Sequence, residues 1–291
     1  MKQTGFPNLI IAGAPKCGTS SLFFWLGAHP EVCASKTKET YFLADKVLRH
    51  NHNLNIIEHG LEAYAKFFEH CQNQKYRLEA TPVYIYHQRP LEILPTLPEV
   101  PQVLFIFRRP GDRLYSHWRF NRYRMKNTQV SFADYLQKRN IPKGWKRDYL
   151  SETYYFQLLK PWIKALGKEK MQVYQMEQLQ ANKQAFMQQV AQDLRIDPHF
   201  YNQFDFFHRN ETVAVKHKKL HRWGLKLEPM VPGWLQEKVI PLYLRLNANK
   251  VPPITKQDAR LRDEVNAQFE EDSRQLAEVF PNINLDLWYG K

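Results

Sequence analysis

Cysteine is scarce in this chain. Three occur in 291 residues, Cys17, Cys33 and Cys71, and no two stand at a metal-ligand or disulfide-framework spacing. That excludes a disulfide scaffold or a cysteine zinc module and makes a reducing cytoplasm the expected compartment. Long apolar runs are also missing. Asn8–Ala14 is the longest near the N-terminus, well short of the roughly 18–20 residues a membrane span needs, so none is expected. Met1–Pro7 lacks the charged and apolar regions of a signal peptide. There is no internal repeat, low-complexity block or Gly/Ser-rich linker, and no helix-turn-helix, zinc-finger or RNA-sheet motif. Acidic residues are in deficit: 29 Asp+Glu face 42 Lys+Arg, a formal charge of +13. That excess concerns partners rather than fold. It suits nucleic acid, an anionic membrane surface, an acidic glycan or a polyanionic nucleotide, and composition does not choose among them.

What is present reads as a globular α/β chain. Hydrophobic residues make up 43% and charged residues 24%, which excludes a disordered or fibrous chain. Asn8–Gly13, Tyr76–Ala80, Gln102–Phe107 and Lys170–Tyr174 read as strands. Helical spacing recurs at Thr19–Ala28, Leu61–His70, Glu152–Leu166 and Asn182–Leu194, in a helix opening at Pro110, and in a long helix after Thr255 with Asp258 placed for a capping box. Strands alternating with helices indicate a parallel sheet covered on both faces. A single domain spanning 1–291 is expected, with 204–253 as a basic flap or insertion.

The first strand runs into Gly13-Ala-Pro-Lys16-Cys17-Gly18-Thr19-Ser20-Ser21 and then a helix. Gly13 and Gly18 have Walker A spacing, but Thr19 stands where a nucleotide hydrolase has lysine, and the lysine lies inside the loop at Lys16. A strand–glycine loop–helix still forms an anion cradle, because free N–H groups and the helix dipole converge there. The usual lysine beside a Mg²⁺-holding hydroxyl is missing, which weighs against metal-assisted γ-phosphate transfer. A kinase using ATP-Mg²⁺ through an aberrant loop, and a nucleic-acid-binding protein exploiting the positive charge, are the competing readings.

Ala14–Leu22 resembles the 5′-phosphosulfate loop of sulfotransferases that use 3′-phosphoadenosine 5′-phosphosulfate (PAPS), and His29-Pro30 and Lys38-Glu39-Thr-Tyr-Phe42 continue as in the bacterial and glycan-type branch. Leu104-Phe-Ile-Phe-Arg108-Arg-Pro110 through Ser116-His-Trp118 is similar to the family's 3′-phosphate motif, an arginine ending a strand and a serine in the next helix. Such a pair can converge on one phosphate, with the guanidinium offering forked donors. Leu78-Glu79-Ala-Thr-Pro82-Val-Tyr84 and Val173–Leu179 add weaker likenesses.

The resemblance implies a three-layer P-loop nucleotide-kinase-like fold and in-line sulfuryl transfer to a hydroxyl or amine of a small-molecule or carbohydrate acceptor. Adenosine 3′,5′-bisphosphate (PAP) is then the product, no metal is required, and no nucleic-acid partner is implied. Lys16, Cys17, Gly18, Thr19, Ser20 and Ser21 would hold the phosphosulfate, with Lys16 facing the leaving oxygen; Arg108 and Ser116 would hold the 3′-phosphate. Lys218 and Lys219 fall where relatives carry a loop closing over that phosphate, although none of its usual glycines lies between Arg209 and Trp223. Glu39 matches the carboxylate base, with Glu79 and His117 as competitors. Relatives often have a histidine two residues after the base and an acid five after it; here these are Tyr41 and Ala44, with Asp45 one further on. Pairing of Glu39 with Lys36 or Lys38 is the purely structural alternative. Arg119, Arg122, Arg124 and Lys126 could bind an anionic acceptor, and Trp145, Trp162, Trp223 and Trp234 could stack on a ring. The missing membrane anchor favours a bacterial cytoplasmic enzyme.

Overall fold

The computed structural model describes residues 5–125, 130–139, 148–206, 213–215 and 248–290, with 124–125, 213–215 and 248–250 as backbone only. β1 (Leu9–Gly13) is buried at every position, as its unbroken apolar run requires of a strand covered on both faces. α1 (Thr19–Gly27) buries Leu22, Phe23, Trp25 and Leu26. β2 (Val32–Ala34), β3 (Tyr76–Ala80), β4 (Gln102–Phe107) and β5 (Met171–Gln175) complete one parallel sheet in the order β2-β3-β1-β4-β5. This is the expected α/β architecture, a parallel sheet flanked by helices. The chain reverses its course across the sheet at β1, with β2 and β3 on one side and β4 and β5 on the other. Ligands of open parallel sheets lie outside the carboxyl ends of the strands where such a reversal occurs.

Three local readings change. Leu61–Phe68 is a 3₁₀ helix. Its Leu61, Tyr64 and Phe67 are three apart and eclipse along one side, where Phe42 stacks on Tyr64 at 4.4 Å and meets Phe67 edge-on. The long C-terminal helix is two, Lys256–Ala267 and Glu270–Val279. Thr255 Oγ1 accepts the Asp258 amide at 3.0 Å, so the cap reading holds at its start. The third change concerns the cysteines: Cys33 and Cys71 form a disulfide, with Cα atoms 5.7 Å apart across 38 residues of sequence. β2 and the chain leaving the 3₁₀ helix bring them within bridging range, a proximity that linear spacing does not encode. The support that unpaired cysteines lent to a reducing compartment is therefore withdrawn.

The chain packs as two compact units, one of residues 1–113, 149–209 and 266–291, the other of 114–148 and 210–265. The first holds the sheet and its core, including Trp25, Phe105, Trp162 and Trp288. Its Tyr155–Leu166 helix is capped by buried Asp272, whose carboxylate accepts the amides of Phe156 (3.0 Å) and Gln157 (3.2 Å). In the second unit Tyr115 and Trp118 pack on Phe132, and Val213–Val215 pairs antiparallel with Ala248–Lys250. Among the described residues no helix is long and apolar enough to cross a membrane.

Candidate active site

The loop after β1 makes its reversal with two left-handed residues, Lys16 at φ +73° and Gly18 at φ +91°. Gly18, the N-cap of α1, adopts this conformation without the steric cost a side chain would bring. The Ala14 amide donates to the Ile106 carbonyl at 3.0 Å, tying the start of the loop to β4. Lys16, Ser20 and Ser21 are half-buried, whereas Cys17 and Thr19 are buried. Burial pushes the Cys17 thiol up to about 11 against the opposing pull of Arg113 and Arg108, so Cys17 is a packing residue with its thiol protonated.

Arg108 leaves the carboxyl end of β4, the strand paired with β1, so it emerges at the same sheet edge as the Lys16 loop. Neighbouring strands are only about 4.8 Å apart, and the Cys17 thiol senses the Arg108 charge. The turn around Arg108 is pinned from several directions. The Tyr155 hydroxyl donates to the Arg108 carbonyl at 2.8 Å. Glu177 accepts the Arg109 amide at 2.8 Å and the Trp288 indole N–H at 2.9 Å. Arg109 Nε and Asn266 Nδ2 both donate to the Trp288 carbonyl, and Asn266 Oδ1 accepts the Gly111 amide. Beneath it Arg113 is fully buried, donating to the Tyr86 hydroxyl and Thr153 Oγ1 at 2.5 Å each. Sequence reasoning missed these supports. Glu177 lay within a quoted motif, but nothing in the linear pattern joins it to Trp288.

Glu39 lies in a turn that is left-handed twice, at Glu39 (φ +61°) and Tyr41 (φ +52°). Burial pushes its carboxyl upward, but Lys38, the Tyr41 hydroxyl and the His50 charge together hold it below the usual carboxylate range. Lys38 Nζ lies 2.5 Å from Oε1 and Tyr41 Oη donates to Oε2 at 2.9 Å. The structure thus shows the Lys38 pair, while Lys36 pairs with Glu69 instead. Tyr41 also stacks on His50 at 5.1 Å, which brings an imidazole near the carboxylate. Asp45 accepts the amides of Gln88 (3.1 Å) and Arg89 (2.8 Å) and lies beside His87; it caps the Arg89–Ile93 helix.

Glu79 is completely buried on β3, and burial pushes its carboxyl up to about 7 against the hydroxyls of Thr81 and Thr40. Ser116 and His117 belong to the second unit, where His117 Nδ1 meets the Tyr135 hydroxyl at 3.4 Å. Arg119 donates to the Pro252 carbonyl and Arg122 to that of Val130, so both guanidinium groups are engaged within that unit. Trp162 is core, edge-on to Phe105. Lys218, Lys219, Lys126, Trp145, Trp223 and Trp234, together with the Arg124 side chain, lie outside the described residues. Cys33, His70 and Cys71 bring their ligand atoms within 4.8 Å of one another, but the disulfide consumes both thiols.

A five-stranded parallel sheet flanked by helices, whose strand order reverses at a strand–turn–helix loop, defines a P-loop-like α/β domain. Residues 6–213 match the model of the sulfotransferase domain family, and the chain belongs to that family. It is 29% identical over 132 residues to the membrane-associated sulfotransferase kil1 of Dictyostelium discoideum, covering 44% of this chain and 26% of that protein. It is 21% identical over 211 residues to human bifunctional heparan sulfate N-deacetylase/N-sulfotransferase 3, covering 67% of this chain and 23% of that protein. The matched region is about a quarter of each relative's length. A solved sulfotransferase from Alicyclobacillus acidocaldarius aligns over 97% of this chain and 98% of that one with a TM-score of 0.64 at 18% identity, a likeness of fold.

Proposed function

We propose that this chain is a sulfotransferase that moves a sulfuryl group from PAPS to a hydroxyl or amine of a small-molecule or carbohydrate acceptor. The observation that carries the reading is the emergence of the Lys16 loop and Arg108 from paired strands at one sheet edge, beside the reversal of strand order. In the transfer the acceptor oxygen or nitrogen bonds to sulfur while the bond from sulfur to the 5′-phosphate oxygen breaks. The electron pair leaves with PAP, and the acceptor proton passes to Glu39. Lys16, the loop amides and the Thr19 and Ser20 hydroxyls meet the charge growing on the leaving oxygen, where a preorganised donor lowers the barrier most. Gly18 and Cys17 shape the loop, Ser21 extends the hydroxyl set, and Arg108 takes the 3′-phosphate, with Ser116, Lys218 and Lys219 as the further candidates the family motif names. Lys38 and Tyr41 keep Glu39 in the ionised state from which a carboxylate accepts a proton, while lowering its basicity. Being fully buried, Glu79 is out of an acceptor's reach. The matched human relative is named for N-sulfation of heparan sulfate, which supports a carbohydrate among the first acceptors to try.

Thermal unfolding with PAP, and separately with ATP-Mg²⁺, tests the reading. At a hundredfold excess over Kd a ligand stabilises by about 2.7 kcal/mol, or about 4 °C for a chain of this size. PAP is expected to give that shift, and Lys16→Ala and Arg108→Ala to abolish most of it. A shift with ATP-Mg²⁺ alone overturns the proposal in favour of a kinase. Salt-sensitive binding of many oligonucleotides, with no preference for PAP, overturns it in favour of a nucleic-acid-binding protein.

A further inference from the structure

Glu79 is an expensive group in an unexplained place. Its side chain is sealed from solvent in the middle of the sheet, on a strand paired with β1 at Ile10. Oε1 accepts the Thr40 hydroxyl at 2.9 Å and the Thr81 hydroxyl at 2.5 Å, while Oε2 is buried with no hydrogen-bond partner. Such a carboxyl touches neither donor nor acceptor. A hydrophobic residue there would avoid the cost of burying it.

Its two hydroxyl partners both reach the Glu39 turn. Thr81 Oγ1 accepts the Tyr41 amide and Thr40 Oγ1 accepts the Phe42 amide, each at 3.2 Å. Thr40 Oγ1 also lies 3.3 Å from the Tyr84 hydroxyl, which accepts the Leu43 amide at 3.0 Å. The Glu39 amide donates to the Ala80 carbonyl, next to Glu79, at 2.8 Å. The amides of Glu39, Tyr41, Phe42 and Leu43 are thus fastened to the end of β3 or to this hydroxyl set, and the Thr40 amide faces the Glu79 carboxyl itself. The turn needs fastening, since Glu39 and Tyr41 both occupy the left-handed region that L side chains leave unless held. A hydroxyl that donates to a carboxylate has its lone pairs turned toward the amide, so one buried oxygen orients both relays at once.

We propose that Glu79 is a positioning residue for Glu39: by holding the Thr40 and Thr81 hydroxyls it keeps the Glu39–Leu43 turn in the one conformation that sets the Glu39 carboxylate in place. The role as stated rests on Glu39 being the base, but the mechanical part does not, and the two are tested separately.

Hydrogen exchange on the full chain reads the mechanical part without any substrate. Glu79→Leu is expected to speed exchange at the Tyr41, Phe42 and Leu43 amides by about tenfold or more, the loss from about one charge-assisted hydrogen bond, while the β1 and β4 amides keep their protection. Glu79→Gln retains a carbonyl oxygen for both hydroxyls and is expected to stay within about threefold of the wild type. Should Glu79→Leu loosen the whole sheet, Thr81→Ala, which removes one relay and leaves the carboxyl, decides the matter through the Tyr41 amide. Unchanged exchange at residues 41–43 in these variants overturns the proposal.

Turnover reads the rest. Glu79→Leu is expected to lower kcat by at least about tenfold with KM for PAPS nearly unchanged, Glu79→Gln to restore most of it, and Glu79→Leu to cost nothing further in a Glu39→Gln background. Losses that multiply in the double variant place Glu79 outside the Glu39 path and overturn the proposal. Full turnover by Glu39→Gln alone instead removes Glu39 as base, and the exchange result then stands by itself.

Discussion

Replacing Glu79 by glutamine changes stability in a way that depends on pH, and the sign follows from burial. The carboxyl titrates near 4.5 in the unfolded chain and is pushed up to about 7 in the folded one. Between those values the folded chain holds a proton that the unfolded chain has released, so stability falls as pH rises. Each pH unit of such a mismatch is worth about 1.4 kcal/mol, and the span from 4.5 to 7 gives about 3 kcal/mol in all. The loss is complete above about pH 7, where both states are ionised. Glutamine does not titrate. Urea unfolding of the two proteins from pH 5 to pH 8 is therefore expected to show the variant gaining on the wild type by nearly that amount as pH rises. Glu39 and Asp45, both held low, contribute stability that is lost only as pH falls through their depressed values, and they cancel between the two proteins. Parallel stability curves would refute the reasoning, because a carboxyl in ordinary surroundings has no proton to withhold in this range.

Two further outcomes are expected. Tyr41→Phe removes the hydroxyl that donates to Glu39 Oε2, so the carboxyl rises toward its ordinary value and the acid limb of a kcat–pH profile moves to higher pH; an unmoved limb counts against Glu39 as the ionising base. Reduction of Cys33–Cys71, or Cys33→Ser, reopens a loop of 38 residues and is expected to cost at most about 4 kcal/mol on the chain-entropy account. The check is a denaturant midpoint measured with and without reductant, and an identical midpoint would show that the bridge contributes nothing to stability.

Much of the sheet could be read from the chain because buried parallel strands declare themselves as apolar runs closed by glycine or arginine. β3 and β4 run over the expected residues, and β5 is displaced by one. The Lys16 loop was readable for a similar reason, since Gly18 marks the left-handed N-cap on which α1 begins. What stayed hidden is what depends on meeting a distant segment. Asp45 stands one residue beyond the acid that relatives often carry, and only the fold shows that it accepts two amides at the start of the Arg89–Ile93 helix. Glu79 looked like a rival base until its burial was known. Cys33 and Cys71 looked unrelated because a disulfide across two elements leaves no periodic trace. The C-terminal helix breaks at Gln268 and Phe269 without glycine or proline, and Phe269 is itself one of the apolar residues that share the spacing of Leu261, Val265, Leu276 and Phe280, so the pattern read straight through the break.

The latch formed by Trp288 and Glu177 has a consequence for how the protein comes into being. The turn that presents Arg108 is held by an indole encoded 180 residues later, so on the ribosome this end of the sheet stands unfinished until Trp288 has emerged. A nascent chain arrested before Trp288 would carry the Lys16 loop in full yet lack the clasp on the turn around Arg108.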